Sequence, residues 1–398
     1  MSAVTPVPAV RPDPSTAAIV RLALAFAAAT NGLILSPFLV AAVMARFHLG
    51  EDLATEIVGL EILGIAVSCA LLPRWIARAA RGFVVAGALG AVVGQAASAV
   101  APDLAWLGAA RALTGLFEGM LFVVVASGVS RRVSTDRVWG YINLLAGALN
   151  GGLLVVIAAL PAGWGARALF VLLAGVIAAL APALRGLGAL AAPAPPRAAK
   201  RSRPAAPPWR PVAAIWIVTV LIYGVQTSQW AIAGFVGARA GLSPTLIGVL
   251  LSVSSLLGFA GALVPAQRAS HPRRIALVWI ALFAMLGALQ WFFGATDGKD
   301  YFLSQLLLNS AFFVIVPFLT GRLSDLDPDG SLVARTLVIT FGASGAGTAL
   351  SGALLERHGS ARFADLLCVA LVAAAPFVRP ALRATPPASP GQAVQPSR

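Results

Sequence analysis

Charge is what this chain lacks most. Only 11% of its 398 residues are Asp, Glu, Lys or Arg, against about 25% in an average soluble domain, so most of its surface is not built to face water. Cysteine is scarce: Cys69 and Cys368 lie in separate apolar runs, which excludes a disulfide framework and leaves small buried hydrophobes as the ordinary reading. The three histidines, His48, His271 and His358, stand near the ends of apolar runs and form no ligand set. No Gly-rich loop ending in Gly-Lys-Ser/Thr is present, and no His-Glu-x-x-His, paired-Cys or Gly-x-Ser-x-Gly pattern occurs within the apolar runs. ATP hydrolysis, enzymatic activity and a bound cofactor or metal are therefore not expected.

What the chain has is length of apolar sequence. Hydrophobic residues make up 59% and the mean hydropathy is +0.87. A helix needs roughly 20 apolar residues to cross about 30 Å of hydrocarbon. By that measure twelve spans are expected, at 19–44, 54–72, 82–100, 105–129, 138–160, 168–184, 212–236, 244–266, 275–294, 301–321, 332–355 and 361–378. The runs are continuous and lack period-2 alternation, which excludes a membrane β-barrel. An all-α membrane protein follows.

Between the sixth and seventh runs lies a polar island, 185–211, with Arg185, Arg197, Lys200, Arg201, Arg203 and Arg210, seven prolines and no acidic residue. Its composition predicts a linker without a packed core. It divides the chain into a cytoplasmic tail (1–18), a six-helix bundle (19–184), the linker, a second six-helix bundle (212–379) and a second tail (380–398). With the N-terminus inside, 22 of the 29 Lys and Arg residues fall on inner segments, the bias expected of cytoplasmic loops. Both termini and the linker are thus expected in the cytoplasm, and the basic excess reads as a membrane-orientation signal, with no nucleic-acid partner. Residues 1–18 contain four prolines and no apolar core, so a tail is expected there and not a cleaved signal. The second span of each half is followed by a basic loop, Arg74 to Arg81 in one and His271-Pro272-Arg273-Arg274 in the other, suggesting a duplicated design with a midplane site between the copies.

Span 4 carries Arg111-Ala-Leu-Thr-Gly115-Leu-Phe-Glu118-Gly119, and the 2–3 loop carries Arg74, Arg78 and Arg81 on a run with Ala77 and Ala80. Gly163-Trp164 through Arg167 and Phe170 precede and open span 6, and Gly147 to Asn150-Gly151-Gly152 lie in span 5. Over both halves this pattern resembles the major facilitator superfamily of transporters. The fourth-span arginine with glycines four and eight residues on is the best match. The loop motif lacks the family's aspartate and glycine, and the span 5 motif resembles the antiporter motif without its proline. The resemblance implies alternating access between two bundles, a cavity lined by spans 1, 4, 7 and 10, and a role in proton coupling for Arg111.

An ionisable group at bilayer depth costs about 2.5–3.5 kcal/mol on insertion scales, so Glu61, Arg111 and Glu118 each need a reason. At 3.6 residues per turn, positions 111, 115, 118, 119 and 122 share one face. Side chains tilt toward the helix N-terminus, so Arg111 reaches away from Glu118, and Glu61 stands at a similar depth to Arg111. The expectation is a pair between Arg111 and Glu61 or Glu118, either coupling protons to transport or locking spans 2 and 4 structurally. Neutral polar residues at helical spacing are the candidate solute contacts: Asn31 in span 1, Asn143 and Asn150 in span 5, Tyr223, Gln226, Thr227 and Trp230 in span 7, and Gln305 and Asn309 in span 10. Each amide could equally serve an interhelical hydrogen bond. Asp325, Asp327 and Asp329 lack the completing residues of a calcium loop.

The function expected is secondary transport of a small apolar or aromatic solute, by proton-coupled efflux across a plasma membrane (the inner membrane of a bacterium), with lipid, solute and protons as partners and a monomer as the working unit. A symporter or facilitator importing a small metabolite, and a non-transporting membrane sensor or scaffold, are the alternatives.

Overall fold

The structure, a computed structural model, describes residues 14–129, 135–160, 165–191, 208–267, 272–326 and 331–383. Every regular element among them is helical. Outside them lie the distal tails, Gly163, Trp164, the linker residues Arg197, Lys200, Arg201 and Arg203, His271, and Asp327 and Asp329.

The first apolar segment is broken into α1 (Thr16–Ala29), α2 (Asn31–Ile34) and α3 (Ser36–Phe47). Two local causes coincide. The Thr30 hydroxyl donates to the Phe26 carbonyl at 2.8 Å, a back-bond that bends helices, and Pro37 has no N–H to continue the ladder. Then follow α4 (Glu51–Leu71), α5 (Ile76–Val100), α6 (Leu104–Val129), α7 (Thr135–Ala158), α8 (Gly165–Leu180) and the short α9 (Leu187–Ala191). The second half contains α10 (Trp209–Ala231), α11 (Ala233–Arg239), α12 (Pro244–Gly258), the one-turn α13 (Leu263–Ala266), α14 (Arg274–Phe293), α15 (Gly298–Leu326) and α16 (Ser331–Leu382). Among the described residues, ten helices are long and apolar enough to cross a membrane. The last of them turns at Gly359, whose φ of 73° and ψ of 167° are open essentially to glycine alone. Large apolar side chains face outward in stripes, as with Val85, Leu89 and Val93 at four-residue intervals on α5. Such a surface suits lipid and not water, and the chain is a multi-pass integral membrane protein.

Two expectations are corrected. The linker is not structureless from its start: α9 buries Leu187 and Ala191, and the Ser127 hydroxyl donates to the Ala191 carbonyl at 3.3 Å. The reason is local, because Leu187 to Ala191 is apolar and Gly188 lets α9 lie directly on the backbone of Arg81. The basic 2–3 loop is also shorter than expected. α5 begins at Ile76, so Arg78 and Arg81 stand on its first turns, exposed, because the alanine-rich run around them favours helix. Arg74 remains in the turn, its guanidinium 4.0 Å from the Trp75 ring centroid.

Small residues set the packing. α4 is held between α6 and α16. A Cβ on Gly115 or Gly119 of α6 would collide with Glu61 or Ser68 of α4, and one on Gly345 or Gly352 of α16 would collide with Leu63 or Glu51. Thr55 of α4 adds a polar tie, accepting from the Gly352 amide at 3.1 Å. A second seam joins α7 to α12, where the Ser252 hydroxyl donates to the Gly151 carbonyl at 2.7 Å and Thr245 to Ala158 at 2.8 Å. Close backbone approach of this kind is how helices associate where lipid removes the hydrophobic drive.

Candidate functional site: a buried ion pair and two amide pairs

The α4–α6 contact brings Glu61 beside Arg111. Gly115 allows α6 to rest on the carbonyl of Glu61, and Gly32, in the broken first segment, leaves space that the Glu61 carboxylate occupies. Arg111 Nη2 pairs with Glu61 Oε2. Its Nη1 donates to Gln95 Oε1 at 2.8 Å and reaches Ser98 Oγ at 3.5 Å. The guanidinium also lies over Phe170 of α8, 5.4 Å from the ring centroid, a favourable cation–π placement. Glu61, Gln95, Ser98, Arg111 and Glu118 are all fully buried.

Glu118 makes no bond to Arg111, and neither of its carboxylate oxygens has a hydrogen-bond partner. The arrangement holds two carboxylates and one guanidinium. A buried charge without a partner costs several kcal/mol, and the Arg111 guanidinium pairs with Glu61 and not with Glu118. One turn further along α6, Phe122 meets Phe341 of α16 edge to face at 4.6 Å and Phe26 of α1 at 5.6 Å, and Trp139 of α7 closes the group.

The second polar group lies between α10 and α15. Gln226 Nε2 donates to Asn309 Oδ1 at 3.0 Å, and Gln229 Nε2 to Gln305 Oε1 at 2.7 Å. Each amide pair retains a buried oxygen and a buried nitrogen with no partner. Tyr223 stands one turn away, its ring 5.0 Å from that of Phe312, at the head of a narrow groove lined by Thr219, Val316, Thr320 and Thr336.

The other candidates are dispersed. Thr227 turns to α16, donating to the Ser344 carbonyl at 3.0 Å. Trp230 donates to the Ile34 carbonyl at 2.9 Å. Asn143 is satisfied by its own helix through the Trp139 carbonyl at 2.9 Å. Asn150 ties α7 to α1 through Thr30 Oγ1 at 3.4 Å, and Asn31 is buried with both amide atoms unpartnered. Gly147 and Gly151 lie on the α7–α12 seam, against Phe259 and Ser252.

Sequence reasoning missed Gln95, Ser98 and Gln229. A signal existed for the first two, since they are polar, three residues apart and within an apolar run. Their value depends on α5 lying against Arg111, which no local pattern reveals.

No family model matches the chain, and no curated protein matches it in sequence. Solved structures do match in shape. A mutant of the nucleoside transporter NupG superposes with a TM-score of 0.66 at 12% identity, covering 91% of this chain and 99% of the other. A bacterial homolog of the human lysosomal transporter Spinster, inward-facing and unoccupied, gives 0.64 at 14% identity over 94% and 100%. The peptide transporter POT with sulfate gives 0.66 at 16% identity over 93% and 97%. The chain shares the fold of these solved transporter structures.

Proposed function

We propose that this protein is a proton-coupled secondary transporter, exporting a small apolar or aromatic solute by alternating access. The observation that carries the reading is the enclosure of Glu61, Arg111 and Glu118, two carboxylates with one counter-charge and no exposure. A group that must be neutral when enclosed and can ionise when wetted binds a proton on one side of the membrane and releases it on the other. In this reading twelve crossings form two bundles, 19–184 and 212–379, with the broken first segment counted once and α16 counted twice across Gly359. The termini and the linker lie in the cytoplasm and the host is a bacterial inner membrane. Rocking of the bundles exposes a midplane site to each side in turn. The α4–α16 and α7–α12 seams supply contacts between the bundles that rocking would exchange.

A second reading is import of a hydrogen-bonding metabolite with protons. It is favoured by the two amide pairs, whose unpartnered donors and acceptors would serve a neutral polar solute better than a hydrocarbon. Proteoliposomes loaded with a pH-sensitive dye, challenged with a panel of aromatic, cationic and sugar-like solutes, test both. Solute-dependent proton movement that disappears in Glu118→Gln supports coupling through that residue; unchanged movement in the variant refutes it. Direction follows from inside-out vesicles with an acidic lumen, where antiport accumulates solute and symport drives it out.

A further inference from the structure

We infer that Gln95 is a positioning residue that joins the charge state of Glu118 to the Arg111–Glu61 pair. The inference rests on the proton reading above and adds to it a neutral side chain on a third helix. Gln95 is fully buried in α5. Its Oε1 accepts from Arg111 Nη1 at 2.8 Å, which fixes the amide's orientation, because that oxygen must face the guanidinium. The amide nitrogen is therefore directed elsewhere, and it has no partner. Two carboxylates nearby have oxygens without a hydrogen-bond donor, Glu118 and Glu61; Glu61 is already paired with Arg111, which leaves Glu118 for the amide.

Helix direction explains why these two side chains approach each other. α5 and α6 are antiparallel neighbours joined by the turn at Ala101 to Asp103. Side chains tilt toward the N-terminus of their own helix, so Gln95 leans from the outer end of α5 toward the membrane middle. Glu118, two turns beyond Arg111 on α6, leans back the other way. Gly94, beside Gln95, lets α5 approach α6 at Thr114, where a Cβ would collide with the threonine side chain. The charged groups acting on Glu118 are Glu61 from α4 and Arg111 from its own helix, and Gln95 faces it from α5.

The consequence is a two-position amide. With Glu118 protonated, Gln95 holds Arg111 through Oε1 and Arg111 pairs with Glu61. With Glu118 ionised, Gln95 Nε2 donates to it while Oε1 still holds Arg111, drawing the guanidinium toward the second carboxylate. Loss or gain of the proton thereby alters the α4–α6 contact without any direct Arg111–Glu118 bond.

The test needs no transported solute. An apolar carbodiimide modifies protonated carboxyl groups within the membrane region, and mass spectrometry of the purified full-length protein reads the modified share of Glu118 across a pH series. Glu118→Gln gives the blank. Removing a hydrogen bond to an ionised group favours the protonated form by about tenfold or more. Gln95→Met, close in shape and without the amide, is therefore expected to raise modification of Glu118 about tenfold at pH values where the wild type is mostly unreacted. Gln95→Asn, one methylene shorter, is expected to fall between, and it reads the same question if the Met variant does not fold. Equal modification in wild type and the folded Gln95 variants, with Glu118 clearly pH-dependent, overturns the role of Gln95 and leaves the proton reading standing. Absence of pH-dependent modification at Glu118 in the wild type refutes the proton reading, and the inference falls with it.

Discussion

Trp230 of α10 donates its indole N–H to the carbonyl of Ile34, 2.9 Å away, at the place where the first membrane segment breaks. The break frees a carbonyl that a continuous helix would occupy, and the indole of the other half takes it. α10 is itself interrupted two residues later, at Ile232 before α11. Two interrupted helices from opposite halves thus hold one another.

Trp230→Phe keeps the ring and removes the donor. A hydrogen bond of this kind is worth about 0.5–1.5 kcal/mol net. We expect the halves to separate here more readily, and maleimide labelling of a cysteine introduced at Phe38, on the adjoining α3, to speed up by about two- to tenfold. An unchanged rate would mean that the contact carries no weight in opening.

Glu61 and Glu118 are predicted to respond oppositely to loss of charge. Glu61→Gln strands the guanidinium of Arg111 in a buried site, and breaking a buried pair costs about 3–5 kcal/mol. Glu118→Gln removes an unpaired buried carboxylate and should leave thermal stability unchanged or raised while abolishing solute-driven proton movement. Thermal unfolding in detergent, run on both variants beside wild type, measures the contrast.

Glycines on the helix seams separate from glycines facing open space. Gly115→Ala drives a methyl group into the Glu61 carbonyl, and overpacking costs about 1–3 kcal/mol. Gly152→Ala meets nothing within 4 Å and should be neutral or stabilising by about 0.4–1 kcal/mol. The difference in unfolding temperature between the two variants checks the α4–α6 packing.

Gly359→Ala places a side chain at φ 73° and ψ 167°, where strain costs about 1–3 kcal/mol. No atom stands close enough to clash, so a destabilisation seen in thermal unfolding would come from backbone conformation alone.

How far the sequence could be read differs from feature to feature. The apolar runs are visible because a bilayer imposes one length on everything that crosses it, and low charge rules out water as the surrounding solvent. The ionisable residues Glu61, Arg111 and Glu118 stand out for the same reason, as exceptions in an apolar medium. The short helix from Leu187 to Ala191 was hidden by the prolines and arginines around it, since composition averages over a stretch and packing acts on a single turn. Gln95 was hidden because a lone amide in an apolar run has an ordinary explanation in any one helix.

By itself, then, the sequence determined that this is a helical membrane protein, which of its segments are apolar, and that Glu61, Arg111 and Glu118 lie within them. Those follow from hydrophobicity and helical spacing, which are local. Tertiary structure decided which groups meet. Arg111 and Glu118 share a helix face two turns apart, yet Arg111 pairs with Glu61 and Gln95. The glycines at 94 and 115 let α5 and α4 approach α6 closely enough for those contacts, and a choice among partners on separate helices is made by that packing alone.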